Sequence, residues 1–165
     1  MCLKCLVNKK QLIQYITRQI TAELAAITQA AKNTYDIATH EDNKAENKYD
    51  TRGLEASYLA GAQAKRVTDM KEVLAIFENL PIQEFAEKNK ISATALVEVS
   101  LSDKLSFVLI MPKGGGQGVL FEGKPVQVIT PESPLGRALI GREVGDFIEI
   151  EAGQQKRQYE ILSIC

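Results

Sequence analysis

The chain has no tryptophan, a single histidine, three cysteines and no apolar run of eighteen residues. Each absence excludes a class of function. Without a long apolar run there is no membrane-spanning helix. His40 stands alone and the cysteines sit at positions 2, 5 and 165, so the usual zinc ligand spacings are missing. Ser133 has no histidine to activate it, because His40 belongs to a different segment, which removes a hydrolytic triad. Cys2 and Cys5 have the CxxC spacing of redox or zinc sites. No second ligand pair and no βαβ pattern accompany them, so all three cysteines are expected as free thiols near frayed termini. The glycine-rich run 114–118 lacks the Lys-Ser/Thr of a phosphate-binding loop and reads as a hairpin loop. A net charge of −1 argues against nucleic-acid binding by bulk charge. The start, MCLKCLVNKK, has no hydrophobic core of a secretory signal. Together these points favour a soluble cytoplasmic protein with no cofactor and no complete catalytic set.

Two long helical patterns fill the first half of the chain. Leu12, Ile16, Ile20, Leu24, Ile27 and Ala31 recur at steps of three and four, the apolar stripe of an amphipathic helix. Asn8 is placed to cap it. Leu59, Ala62, Met70, Val73, Leu74 and Phe77 form a second stripe, which stops at Leu80-Pro81 because proline disfavours helix in the residue before it. The stripes are narrow and rich in alanine, as in helices that pack only on each other. The spacing predicts one antiparallel hairpin over residues 9–80, with its turn between Ala38 and Asp50. Helices of roughly 28 residues would reach about 40 Å.

The turn region holds five acids within fifteen residues: Glu41, Asp42, Glu46, Asp50 and Glu55. Asp42 and Glu46 would share a helical face at a spacing of four. Two carboxylates leave most of a Mg²⁺ coordination sphere open, which suits an ion shared with another molecule rather than one held alone. The competing reading is a solvated acidic loop.

The pattern changes after Pro81. Residues 81–93 read as a linker with one short turn. Beyond Thr94 the period falls toward two, and six short strands are expected: 95–101, 105–111, 119–121, 126–129, 146–151 and 157–164. One brief helix falls within 131–141. The fold class is therefore α+β: a coiled-coil arm over residues 1–80, then a small antiparallel β domain over 81–165.

The stretch Val128–Asp146, VITPESPLGRALIGREVGD, resembles the signature of the Gre transcript-cleavage factors of bacterial RNA polymerase, in which a run of the form S-P-[ILM]-[AG]-R-A-L-[IL]-G-K-x-x-G-D occurs. The last strand, Tyr159–Ile164, is similar as well. The resemblance implies a divergent GreA/GreB-like member with an FKBP-like C-terminal domain. It further implies a monomer that is not itself an enzyme. Such a protein docks on RNA polymerase through Glu132, Ser133 and Pro134, extends its arm through the secondary channel toward the catalytic Mg²⁺, and meets DNA only indirectly.

The family's acidic tip has the form D-x-x-E-N-A-E-Y. Here Asp42 and Tyr49 align with its first and last positions, but the family glutamate falls on Ala45, and Glu46-Asn47 is the Glu-Asn pair displaced by one residue. One step turns a helical side chain by about 100°. The tip pair is therefore Asp42 with Glu46 or Glu41, and weak or absent cleavage stimulation is expected. A different class of function is an FKBP-like prolyl isomerase or chaperone with a helical arm. It would need an aromatic-lined pocket, whereas Phe107, Phe121, Phe147 and Tyr159 are expected in the core.

Overall fold

The computed structural model describes residues 7–39, 52–102, 104–152 and 155–165. Two helices come first, α1 (Lys9–Thr39) and α2 (Arg52–Asn79). Strands β1 (Leu96–Leu101), β2 (Lys104–Ile110), β3 (Gly118–Phe121) and β4 (Lys124–Ile129) follow. A short helix α3 (Pro134–Leu139) precedes β5 (Phe147–Ala152) and β6 (Gln155–Ile164). No helix among the described residues is long and apolar enough to cross a membrane.

The chain divides into two compact units, Met1–Ile16 with Asn79–Cys165, and Thr17–Glu78. One division falls after Glu78, at the end of α2, and the other falls inside α1, after Ile16. The reason is the burial of the first two turns of α1, where Leu12, Ile13 and Ile16 are almost wholly withdrawn from water.

In the first unit the six strands form one sheet in the order β3-β4-β2-β1-β6-β5. The expected all-antiparallel pairing fails at one place, because β2 and β4 run parallel, with Phe107 beside Val126 and Ile110 beside Ile129. The β3–β4 hairpin turns through Glu122 and Gly123, both at positive φ (51° and 75°), the geometry of a tight primed turn. That hairpin presents β4 to the edge of β2 in the same direction.

The central strands are buried on both faces. Val97, Val99, Val108, Ile110 and Ile129 share one core with Leu139 of α3, and Leu135 and Ala138 pack against it. The linker does more than connect, since Phe85 and Ile91 enter this core. Backbone bonds Ile91 N–H to Arg142 O and Gly141 N–H to Ile91 O tie it to the turn after α3.

The opposite face carries Leu96, Glu98, Leu109, Val126 and Val128, all buried. The Glu98 carboxylate accepts a bond of 2.9 Å from the Ser163 hydroxyl. The start of α1 lies on this side: the Tyr15 and Phe121 rings are 5.5 Å apart. Asn8 caps the helix, its Oδ1 accepting from Gln11 N–H at 3.1 Å.

Lys9 fastens this arrangement. Its ammonium donates to Gln83 O and, at 2.8 Å, to Cys165 O, and sits 4.8 Å from the centre of the Phe85 ring. Cys165 is disulfide-bonded, so it is not the free thiol expected. Cys2 and Cys5 lie outside the described residues. The C-terminal strand end and the start of α1 are brought together here, which is the physical reason that Cys165 is not frayed.

In the second unit the helices form a hairpin seam. On α1 the less exposed positions are Ile20, Leu24, Ile27, Ala31 and Thr34. On α2 they are Ala60, Gln63, Val67, Met70, Val73, Leu74, Ile76 and Phe77. Leu59 and Ala62, expected in the stripe, face solvent instead. The alanine-rich run 60–64 left the phase of the helix ambiguous, and Val67 sets it. Arg66 pairs with Glu23 across the hairpin at 3.4 Å. The turn expected between Ala38 and Asp50 lies almost wholly outside the described residues.

Burial lowers the Lys9 pKa from 10.5 to about 8, partly offset by the Glu84 carboxylate. A lysine with a lowered folded-state pKa costs the native state while both states are charged. That cost disappears as pH rises from about 8 toward 10.5. Lys9→Met removes the titration and takes one donor each from Gln83 O and Cys165 O, the latter keeping its bond from Leu96 N–H, a loss of about 1–3 kcal/mol. The stability gap between native protein and variant, read from urea midpoints, is expected to widen from pH 8 to 10.5. A pH-independent gap would refute the buried amine.

Candidate functional site

The segment from Thr130 to Ile140 is built around one hydroxyl. Ser133 Oγ donates to Thr130 O at 2.7 Å and accepts from Gly136 N–H at 3.0 Å, which caps α3. Pro134 occupies the first turn, where its missing N–H costs nothing and its fixed φ suits the helix. Gly136 is buried, and a Cβ there would collide with the Thr130 carbonyl oxygen, so the loop closes tightly on the helix. Ile140 N–H returns to Gly136 O and ends α3.

The three docking residues read from the sequence thus stand together but differ in exposure. Glu132 and Pro134 are exposed, whereas Ser133 is half-buried with its hydroxyl engaged internally. Glu132 and Pro134 are free to meet another molecule, and Ser133 holds them in place.

Beside this loop lies an open groove of about 570 Å³ on the sheet face that α3 leaves partly uncovered. Leu101, Ser106, Val108, Leu120, Pro125, Leu135 and Tyr159 line it. Leu135 directly follows Pro134, so the loop borders the groove. Leu120 is 66 % exposed on the edge strand β3, an apolar side chain left to solvent at the groove margin. Sequence reasoning missed this groove, although Leu120 stands one residue out of phase with Val119 and Phe121, which is the signal that could have found it.

The aromatics behave unequally. Phe107 is buried, Phe121 packs on Tyr15, and Tyr159 lies partly buried against the core. Phe147, expected in the core, is 58 % exposed on the edge strand β5, because Ile148 is the residue of that strand that points inward.

A larger cleft of about 1090 Å³ is lined by Val7–Lys10, Ile82–Asn89 and Cys165. Its one buried charge, Lys9, is already taken by backbone carbonyls. Among the described residues no group of three or more His, Cys, Asp or Glu side chains is placed to hold a metal. The tip residues Glu41, Asp42 and Glu46 lie outside the described residues.

Comparison with known proteins adds to this geometry. Residues 122–165, which span β4, the whole segment from Thr130 to Ile140 and the last two strands, match the family "Transcription elongation factor, GreA/GreB, C-term". The chain is 31% identical over 116 residues to transcription elongation factor GreA of Mesorhizobium japonicum, covering 66% of this chain and 69% of that protein. It is 24% identical over 153 residues to transcription inhibitor protein Gfh1 of Thermus aquaticus, covering 90% of this chain and 89% of that protein. The crystal structure of GreA factor homolog 1 of Thermus thermophilus covers 90% of this chain and 94% of its own, at 20% identity and a TM-score of 0.37.

Ser133→Ala removes the cap of α3 and is expected to cost about 1 kcal/mol. Chemical denaturation checks it, and an unchanged midpoint would show that the Ser133 hydroxyl does not hold the loop.

Proposed function

Because the chain belongs to the GreA/GreB family of transcription elongation factors, we propose that it is an accessory regulator of bacterial RNA polymerase in the cytoplasm. The sheet unit docks on the enzyme through the loop at Glu132–Pro134, and the helical hairpin enters the secondary channel. The observation that carries this reading is the loop itself: an exposed Glu132 and Pro134, fixed by the internally bonded Ser133, at the rim of an apolar groove. A preformed, proline-stiffened loop loses little freedom on binding, which favours association.

In the sequence that joins the two helices, Asp42 with Glu46 or Glu41 acts on the polymerase's own Mg²⁺; the protein holds no metal of its own. In two-metal phosphodiester cleavage one ion activates water. A carboxylate pair brought beside a weakly held ion raises its occupancy, whereas a pair turned by one residue competes for the ion or blocks substrate. The displaced Glu46 favours the second outcome. The likeness to a protein named as a transcription inhibitor, over 90% of this chain, supports the same direction.

Two measurements test the proposal. Glu132→Asn with Pro134→Asn is expected to weaken capture of the protein by core RNA polymerase while the circular dichroism spectrum stays unchanged. Unaltered capture would refute the docking loop. With backtracked complexes, the native protein is expected to stimulate cleavage little and to slow nucleotide addition, and Asp42→Ala is expected to relieve that slowing. Robust cleavage lost in Asp42→Ala but kept in Glu41→Ala and Glu46→Ala would show that the pair is wrong.

A further inference from the structure

We propose that Ala60 to Ala64 of α2 form a joint in the helical hairpin. The end of α1 and the start of α2 open there as one unit, while the rest of the hairpin stays closed. The inference goes beyond the polymerase reading and does not rest on it.

The seam changes character at this point. Val67, Met70, Leu74 and Phe77 of α2, with Ile20, Leu24 and Ile27 of α1, fill one part with large apolar side chains. Beyond them the inward positions are Gln63 and Ala60 of α2 and Ala31 and Thr34 of α1. Arg66 meets Glu23 across the hairpin, which sets the level of the two helices and puts Gln63 near Ile27 and Ala60 near Ala31. Alanine facing alanine buries little apolar area, so the outer seam gains less from closure than the inner one.

Two residues weaken the same stretch further. Gln63 Oε1 is buried with no hydrogen-bond partner, which charges the closed state with the desolvation of that atom. A polar seam residue can fix the register of two helices when it bonds across the seam. This oxygen makes no such bond, and opening returns it to water. Gly61 stands well inside α2, where glycine disfavours helix relative to alanine. A Cβ at that position would meet nothing within 4 Å, so packing does not require the glycine. Stability is thus given up at one level of the hairpin by both residues, although alanine at 61 and leucine at 63 would restore it. Few large apolar contacts, an unpaired acceptor and an interior glycine together mark a place of local opening. An arm jointed there presents a partner with more than one shape.

The test is amide hydrogen exchange on the isolated full chain, native and with Gly61→Ala and Gln63→Leu combined. In the native protein the amides of residues 28–36 and 57–62 are expected to share one protection factor, at least about tenfold below that of residues 18–25 and 67–76. The combined variant is expected to slow exchange of the outer amides of both helices by about tenfold and to leave the inner ones unchanged. Should the leucine make the chain associate, Gly61→Ala alone is expected to slow the outer amides by about fivefold. Protection that declines smoothly toward the helix ends would overturn the joint in favour of ordinary fraying. Equal protection of outer and inner amides would overturn it as well, and so would outer amides that neither variant slows. No polymerase is present in this experiment, so its failure leaves the proposed function standing, and failure to bind polymerase leaves the joint standing.

Discussion

The sheet unit depends on covering both faces of its central strands. β1 from Leu96 to Val99 and β2 from Phe107 to Ile110 are buried without interruption. A strand buried on both sides needs a layer on each. α3 and the linker residues Phe85 and Ile91 supply one layer. The start of α1, on the side of Tyr15 and Phe121, belongs to the other. Lys9 holds that start in place by giving its protons to carbonyls from two distant segments, Gln83 and Cys165. A buried ammonium is tolerated because it is bonded to carbonyls and stacked on a ring, and its lowered pKa records the desolvation that remains.

The same economy of hydrogen bonds shapes the candidate docking loop. Ser133 spends its donor and its acceptor inside the loop. Its neighbours Glu132 and Pro134 are then presented outward without having to order on contact. The groove beside them exists because α3 is only six residues long and cannot cover the sheet as far as β3. Leu101, Leu120 and Leu135 are left around the uncovered part.

The helical unit follows a different rule. Its seam combines Phe77 and aliphatic side chains with alanines and includes Gln63, whose Oε1 is buried with no hydrogen-bond partner. A polar atom left unpaired in a seam weakens packing. The hairpin is therefore held by modest contacts and by the Arg66–Glu23 pair, which is exposed and contributes little. Large apolar side chains that could have strengthened the seam, Leu54, Tyr58 and Leu59, are instead on the outside.

Much of this was legible in the residues. The two helices and their ends followed from an apolar stripe, from Asn8 and from Pro81, because capping and the steric effect of proline act within a few residues. The six strands followed from alternation and turn residues. Family membership was carried by the run from Val128 to Asp146, in which Ser133, Pro134 and Gly136 each meet a local backbone requirement. The tip carboxylates were read from sequence and lie outside the described residues.

Other features needed the tertiary structure. Local pattern carries no information on which strand lies beside which, so the parallel β2–β4 pair was not visible. The alanine-rich run in α2 gave no phase, and the seam through Ala60, Gln63 and Val67 was decided by the facing helix. Cys165 looked like a frayed thiol until the chain end was seen beside the start of α1. Lys9 looked like any surface lysine in NKKQ, and only long-range packing made it a buried one. The sequence by itself determined the elements and the family, because those rest on interactions between near neighbours. The closure of the sheet, the groove and the exposed outer face of α2 were decided by tertiary structure, because burial is a property of what the rest of the chain places alongside.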